Sequence, residues 1–150
     1  MATSKYFAVT VKPTIAASIQ TLAAYTQADI LFDWYGFDIP KGAAKLVGVT
    51  ALVRQTNGTG ANVLPFALYY EKSINGVAPS SLGTVHATAN GTGYYNNLIG
   101  KNNIEVKDFS EDYLDVGVHV ATLAAGGADA DKPSFVMQGE PDSGTNVGYD

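Results

Sequence analysis

Residues 29–56 read DILFDWYGFDIPKGAAKLVGVTALVRQT, and this stretch decides the fold. Two apolar runs flank the turn residues Asp38-Ile39-Pro40-Lys41-Gly42. Side chains alternate across a strand, so Ile30, Phe32 and Trp34 share one side of the first run, and Leu31, Asp33 and Tyr35 the other. In the second run Leu46, Val47, Val49, Leu52 and Val53 are β-branched or aliphatic, and no helix cap precedes them. Pro40 and Gly42 keep either strand from running on through the turn. The stretch therefore predicts a hairpin, or a corner, at the centre of a sheet.

The segments on either side read the same way. Residues 5–11 alternate, with Phe7, Val9 and Val11 on one face, and Pro13 ends that strand or confines it to an edge. Residues 14–28 fit two templates: Ile15, Ile19, Leu22 and Tyr25 have helical spacing, while the Thr and Ile content favours extended chain. Further strands are expected at 63–71, at 82–88, at 93–100 where the chain leaves a turn, from Ile104 and Val106 onward, and at 113–123, where Leu114, Val116, Val118 and Val120 alternate. Asn-Gly pairs at 57, 75 and 90 mark tight turns, since both positions take positive φ cheaply. The expected core face is Phe7, Val9, Ile30, Phe32, Trp34, Val47, Val49, Leu68, Leu114, Val116 and Val118. The total, about eight strands, suits an all-β fold, an antiparallel β-sandwich of jelly-roll or Ig-like kind. Residues 1–123 form that domain. Residues 124–150, rich in small and polar residues around Gly126-Gly127 and Pro133, are expected as an extended C-terminal arm.

Composition limits function. A chain of 150 residues suits one domain and buries roughly 70% of its unfolded surface, enough to fold without staples. It has no cysteine, which excludes disulfides, a thiolate nucleophile and Cys-ligated metal. No apolar run is long enough to span a membrane, and the first residues lack the basic and apolar regions of a signal peptide. A formal net charge of −5 and a pI near 4.8 argue against a phosphate backbone as partner. Only 15% of residues are charged, against about 25% in ordinary globular domains. Such a surface costs little to desolvate and suits lasting protein contact, although all-β domains also use Thr and Asn freely.

Candidate chemistry is sparse. His86 and His119 lie on expected strands, where a half-exposed polar side chain is the ordinary reading, and two histidines do not make a three-His zinc site. Glu105, Asp108, Glu111, Asp112 and Asp115 form an acidic run without the alternate ligands and turn glycine of a calcium loop, and Asp129 and Asp131 lack a closing Glu. Gly58-Thr59-Gly60 and Gly91-Thr92-Gly93 stop short of a phosphate loop, and no Gly-x-Ser-x-Gly elbow exists. No cofactor, metal or catalytic residue is expected. Trp34, Tyr35, Tyr69, Tyr70, Tyr94 and Tyr95 suit stacking on sugar rings or burial at a protein interface alike. Tyr94, Tyr95 and the apolar patch Phe135, Val136 and Met137 are the expected assembly contacts.

Five segments carry a resemblance: AYTQADILFDW, KGAAKLVGVTALVRQ, LYYEKSINGVAPSSLG, ANGTGYYNNLIG and QGEPDSGTNVGYD. Together they resemble virion structural proteins of tailed bacteriophages, most nearly the marine cyanophage type in which β-rich proteins coat the head. They are scaffold and turn motifs rather than a catalytic signature. The resemblance implies a non-enzymatic capsid decoration, or cement, protein on the outer surface of the head. Its partners would be the major capsid protein and neighbouring copies of itself, with neither nucleic acid nor membrane. A tail or baseplate component of the same virion and a glycan-binding module are the alternatives.

Overall fold

The computed structural model describes residues 6–13, 25–39, 43–54, 64–74, 77–89, 97–109, 118–124 and 136–138. Its regular elements are strands β1 (Ala43–Lys45), β2 (Gly48–Arg54), β3 (Phe66–Glu71), β4 (Leu98–Ile104), β5 (Val118–Ala124) and β6 (Val136–Gln138), with one 3-10 turn at Val106–Asp108. The protein is all-β. The strands pair as three antiparallel two-stranded ladders, β1 with β6, β2 with β5 and β3 with β4. Among the described residues no helix is long and apolar enough to cross a membrane.

Of the hairpin or corner expected from residues 29–56, the described residues show no hairpin pairing between the two runs. The second run is indeed a strand, but β2 takes its partner from far along the chain, with Val49 opposite Leu123, Ala51 opposite Ala121 and Val53 opposite His119. The first run has its hydrogen bonds committed elsewhere. Ile30 N donates to Ala87 O, His86 N donates to Ile30 O, and Ala89 N donates to Ala28 O. A single bridge, Asp29 to Thr88, marks this contact.

Three other expected strands differ as well. Among the described residues nothing pairs with 6–13 as a ladder, and Phe7, Val9 and Val11 are exposed. Residues 82–88 turn rather than extend, because Gly83 and His86 both have positive φ, +126° and +65°, which no ladder accommodates. The strand expected to start at Ile104 instead ends there. Val106–Asp108 is a 3-10 turn, entered where Glu105 N donates to the Asp108 carboxylate at 2.8 Å. Two of the five acidic residues thus cap a turn, and Glu111, Asp112 and Asp115 lie outside the described residues. The Asn75-Gly76 pair is flanked by Ile74 and Val77, which exchange two backbone hydrogen bonds. The pairs at 57 and 90 also fall outside the described residues.

Two apolar clusters hold these pieces. Ile104, Ala121 and Leu123 are buried together and covered by Ala51, Phe66, Leu68 and Phe109. Ile39 and Met137 form the second, with Phe37, Ala44, Leu46 and Ile99 against them. The face of β5 is therefore the opposite of the expected one: His119, Ala121 and Leu123 are buried, and Val118 is only half-buried. A side-chain period of two makes the choice all-or-none, and the small Ala121 lets Ile104 and Phe109 close over the odd face. Of the expected core, Ile30 is buried. Phe32, Trp34, Val49 and Leu68 are half-buried, Phe7, Val9 and Val47 are exposed, and Leu114 and Val116 lie outside the described residues. Within the segment expected as an arm, Val136–Gln138 is paired to β1 and its Met137 is core.

Candidate functional site

The polar side chains gather where residues 25–34 meet residues 80–89. Asp33 sits between Phe32 and Trp34, and its carboxylate is the hub. One oxygen accepts from Trp34 N at 2.9 Å and Leu82 N at 3.0 Å, and the other accepts from the Ser81 hydroxyl. Ser81 Oγ in turn accepts from Gly83 N at 3.1 Å. The Trp34 indole N–H donates to Ser80 O at 2.8 Å. Burial raises the Asp33 pKa, but the bonds from Ser81, Leu82 and Trp34 outweigh it, so the carboxyl is held below the usual carboxylate range. Gly83 lies tight against this contact: a Cβ there would meet Ile30 Cδ1 at 3.2 Å.

Beside this clamp lie Tyr25, Asp29 and His86. His86 Nδ1 is 4.0 Å from an Asp29 carboxylate oxygen, too far for a hydrogen bond and an ion pair only when the imidazole is protonated. The Tyr25 and His86 rings approach to 4.4 Å between centroids at an interplanar angle of 35°. Asp29 also accepts from Thr26 N at 2.7 Å. Among the described residues the buried Tyr25 hydroxyl has no hydrogen-bond partner, and burial first, then the Asp29 charge, raises its pKa. An imidazole beside a carboxylate has the makings of an oriented base, but the Ser81 hydroxyl is engaged by Asp33 and Gly83. Together with the backbone bonds from Ile30, His86 and Ala89, the arrangement ties residues 25–34 to residues 80–89.

The remaining titratable groups stand apart. His119 is buried on β5 opposite Val53. Tyr70 on β3 has its phenol pushed up to about 12 by burial. Both carboxylate oxygens of Glu71 are shut off from solvent and have no hydrogen-bond partner among the described residues, and burial raises its pKa. Among the described residues no three His, Asp or Glu side chains gather as a metal site.

Of the expected assembly contacts, Val136 is exposed, while Met137 is turned into the chain's own core against Ile39. Its place in the β1–β6 ladder explains the split, since neighbouring side chains on a strand point to opposite faces. Tyr94, Tyr95 and Phe135 lie outside the described residues. The sequence reading missed the Asp33 clamp. Its one signal was a lone acid inside an apolar run, between Phe32 and Trp34.

Comparisons with protein-family models, with curated proteins and with solved structures find no match.

Proposed function

We infer that this chain is a non-enzymatic structural protein of a tailed-phage virion, decorating and cementing the outer surface of the capsid. Its partners are the major capsid protein and neighbouring copies of itself. The observation that carries this reading is the balance of apolar surface. Among the described residues six hydrophobic side chains are buried, whereas fourteen large ones are exposed. Exposed apolar residues scattered singly are normal. Here Tyr6, Phe7, Val9 and Val11 crowd into one short segment, and Val47, just before β2, and Leu52, within it, are exposed as well. With only 15% of residues charged, such a surface is cheap to desolvate against protein. The five segments that resemble virion proteins support the particle. The net charge of −5 favours the outer face over a lumen filled with nucleic acid. An antiparallel β-sandwich is the fold we infer behind this surface. The packing of Phe66, Leu68 and Ile104 from one ladder on Ala51, Ala121 and Leu123 from another supports it.

An antibody against the purified chain tests the reading. Particles banded from the source culture are labelled with it and viewed by electron microscopy, and their proteins are identified by mass spectrometry. Gold on the outside of heads is the expected result. Gold confined to tails would move the chain to the tail, and its absence from banded particles would refute a virion role.

A further inference from the structure

Residues 6–13 read YFAVTVKP, a strand pattern without a strand's partners. Phe7, Val9 and Val11 alternate onto one side, and β-branched and aromatic residues suit a pleated surface. All of Tyr6, Phe7, Val9 and Val11 are exposed, Tyr6 at 85%. Among the described residues none offers this segment a ladder or a backbone hydrogen bond.

Strand β2 has the complementary deficit. Among the described residues it is paired along one edge only, by β5. Natural edge strands are blunted by charges, proline or bulges. The β2 sequence GVTALVR has no proline and no charge before Arg54, and its register with β5 is unbroken. Leu52 is 62% exposed and Val47, just before the strand, 51%. Among the described residues the chain thus carries an open edge of seven residues and, at 6–12, a segment of the same length with a strand pattern and no ladder.

We propose that residues 6–12 of one copy add as an antiparallel strand to the open edge of β2 in a second copy, reciprocally, to give a two-fold dimer. Centring the two segments sets Phe7 opposite Val53, Val9 opposite Ala51 and Val11 opposite Val49. Opposed residues share a face, so the three apolar side chains continue the half-buried face of β2. Ala8 and Thr10 fall beside Leu52 and Thr50, on the side where Thr50 meets Thr122 at 3.5 Å. A parallel arrangement would bring the basic positions Lys12 and Arg54 together, whereas the antiparallel one separates them by the length of the strand. Pro13, which has no N–H, ends the added strand. One such strand on one edge is small beside the roughly 1,600 Å² of a standard interface. Reciprocal exchange doubles the area, because each copy donates a strand and accepts one. The inference concerns copies of this chain alone and stands whether or not they sit on a capsid.

The chain has no cysteine, so introduced thiols report single positions. Thr10→Cys and Thr50→Cys proteins are mixed and treated with a short thiol cross-linker, and a covalent 10-to-50 heterodimer is expected. In analytical ultracentrifugation the unaltered chain is expected to dimerise. The double variant Ala8→Pro, Val9→Pro removes an N–H from each side of the segment and should sediment as a monomer with an unchanged circular dichroism spectrum. A monomeric unaltered chain across the concentration series overturns the proposal, as does a dimer that survives the two prolines. Cross-linking of a Thr10→Cys, Thr50→Cys double variant within one chain also overturns it, since the segment would then lie on its own β2.

Discussion

Replacing Asp33 by Ala removes the hub that joins residues 29–34 to residues 80–83. Three bonds are lost, but the one from Trp34 N is local, so only those from Ser81 and Leu82 hold the loops together. A hydrogen bond to a charged group nets roughly 1.5–3 kcal/mol. The Ser81 bond lies at an exposed position and the Leu82 bond is part-buried, so about 2 kcal/mol is expected for the pair. At this chain length that lowers Tm by roughly 4–8 °C. Asp33→Asn keeps an acceptor without the charge and should lose about half as much. The chain's single tryptophan is the reporter, because the Trp34 indole N–H donates to Ser80 O inside the same contact. Its emission, followed through urea at several pH values, reads both local order and unfolding. The folded pKa of Asp33 lies below its unfolded value. The stabilisation is therefore complete above about pH 3.9 and is lost as the pH falls through the folded value. The gap between the unaltered chain and Asp33→Ala should be full at pH 7 and close in strong acid. Coincident unfolding curves at pH 7, or a gap that persists undiminished at pH 2, would refute the clamp.

Gly83→Ala should destabilise by about 1 kcal/mol or more, since φ is +126° and the new methyl meets Ile30 Cδ1 at 3.2 Å. Thermal melts of Gly83→Ala and of an Ala substitution at exposed Thr84 separate this strain from a generic loop effect. Ile104→Ala should cost about 2–5 kcal/mol, because Ile104 is fully buried against Ala121 and Leu123, and urea unfolding measures it. Spectrophotometric titration should find one tyrosine ionising near pH 12, and Tyr70→Phe should remove that step. Its folded pKa is raised, so stability from this group is full below about pH 10 and declines as the pH rises towards 12.

Local chemistry made several features legible in the sequence. An alternating apolar pattern and abundant turn residues produce strands rather than helices; β2 and β3 lie within expected strands, and β5 overruns its expected end at Leu123 by one residue. The absence of cysteine was read directly from composition. Partner choice was not legible. Whether β2 pairs with residues 29–35 or with β5 turns on which faces fit over Ile104, and that fit joins residues from β2 to β5. The face of β5 was misread because both of its sides carry apolar residues. Only the closure of Phe66, Leu68 and Phe109 over Ala121 selects one of them. The Asp33 clamp escaped for the same reason: its donors lie near residue 81, and a carboxylate in an apolar run does not announce where its hydrogen bonds go. Period and propensity act between neighbours along the chain, so the sequence by itself determined the strand character of β2, β3 and most of β5. Pairing, burial and the clamp depend on contacts between distant segments, and only the tertiary structure decided them.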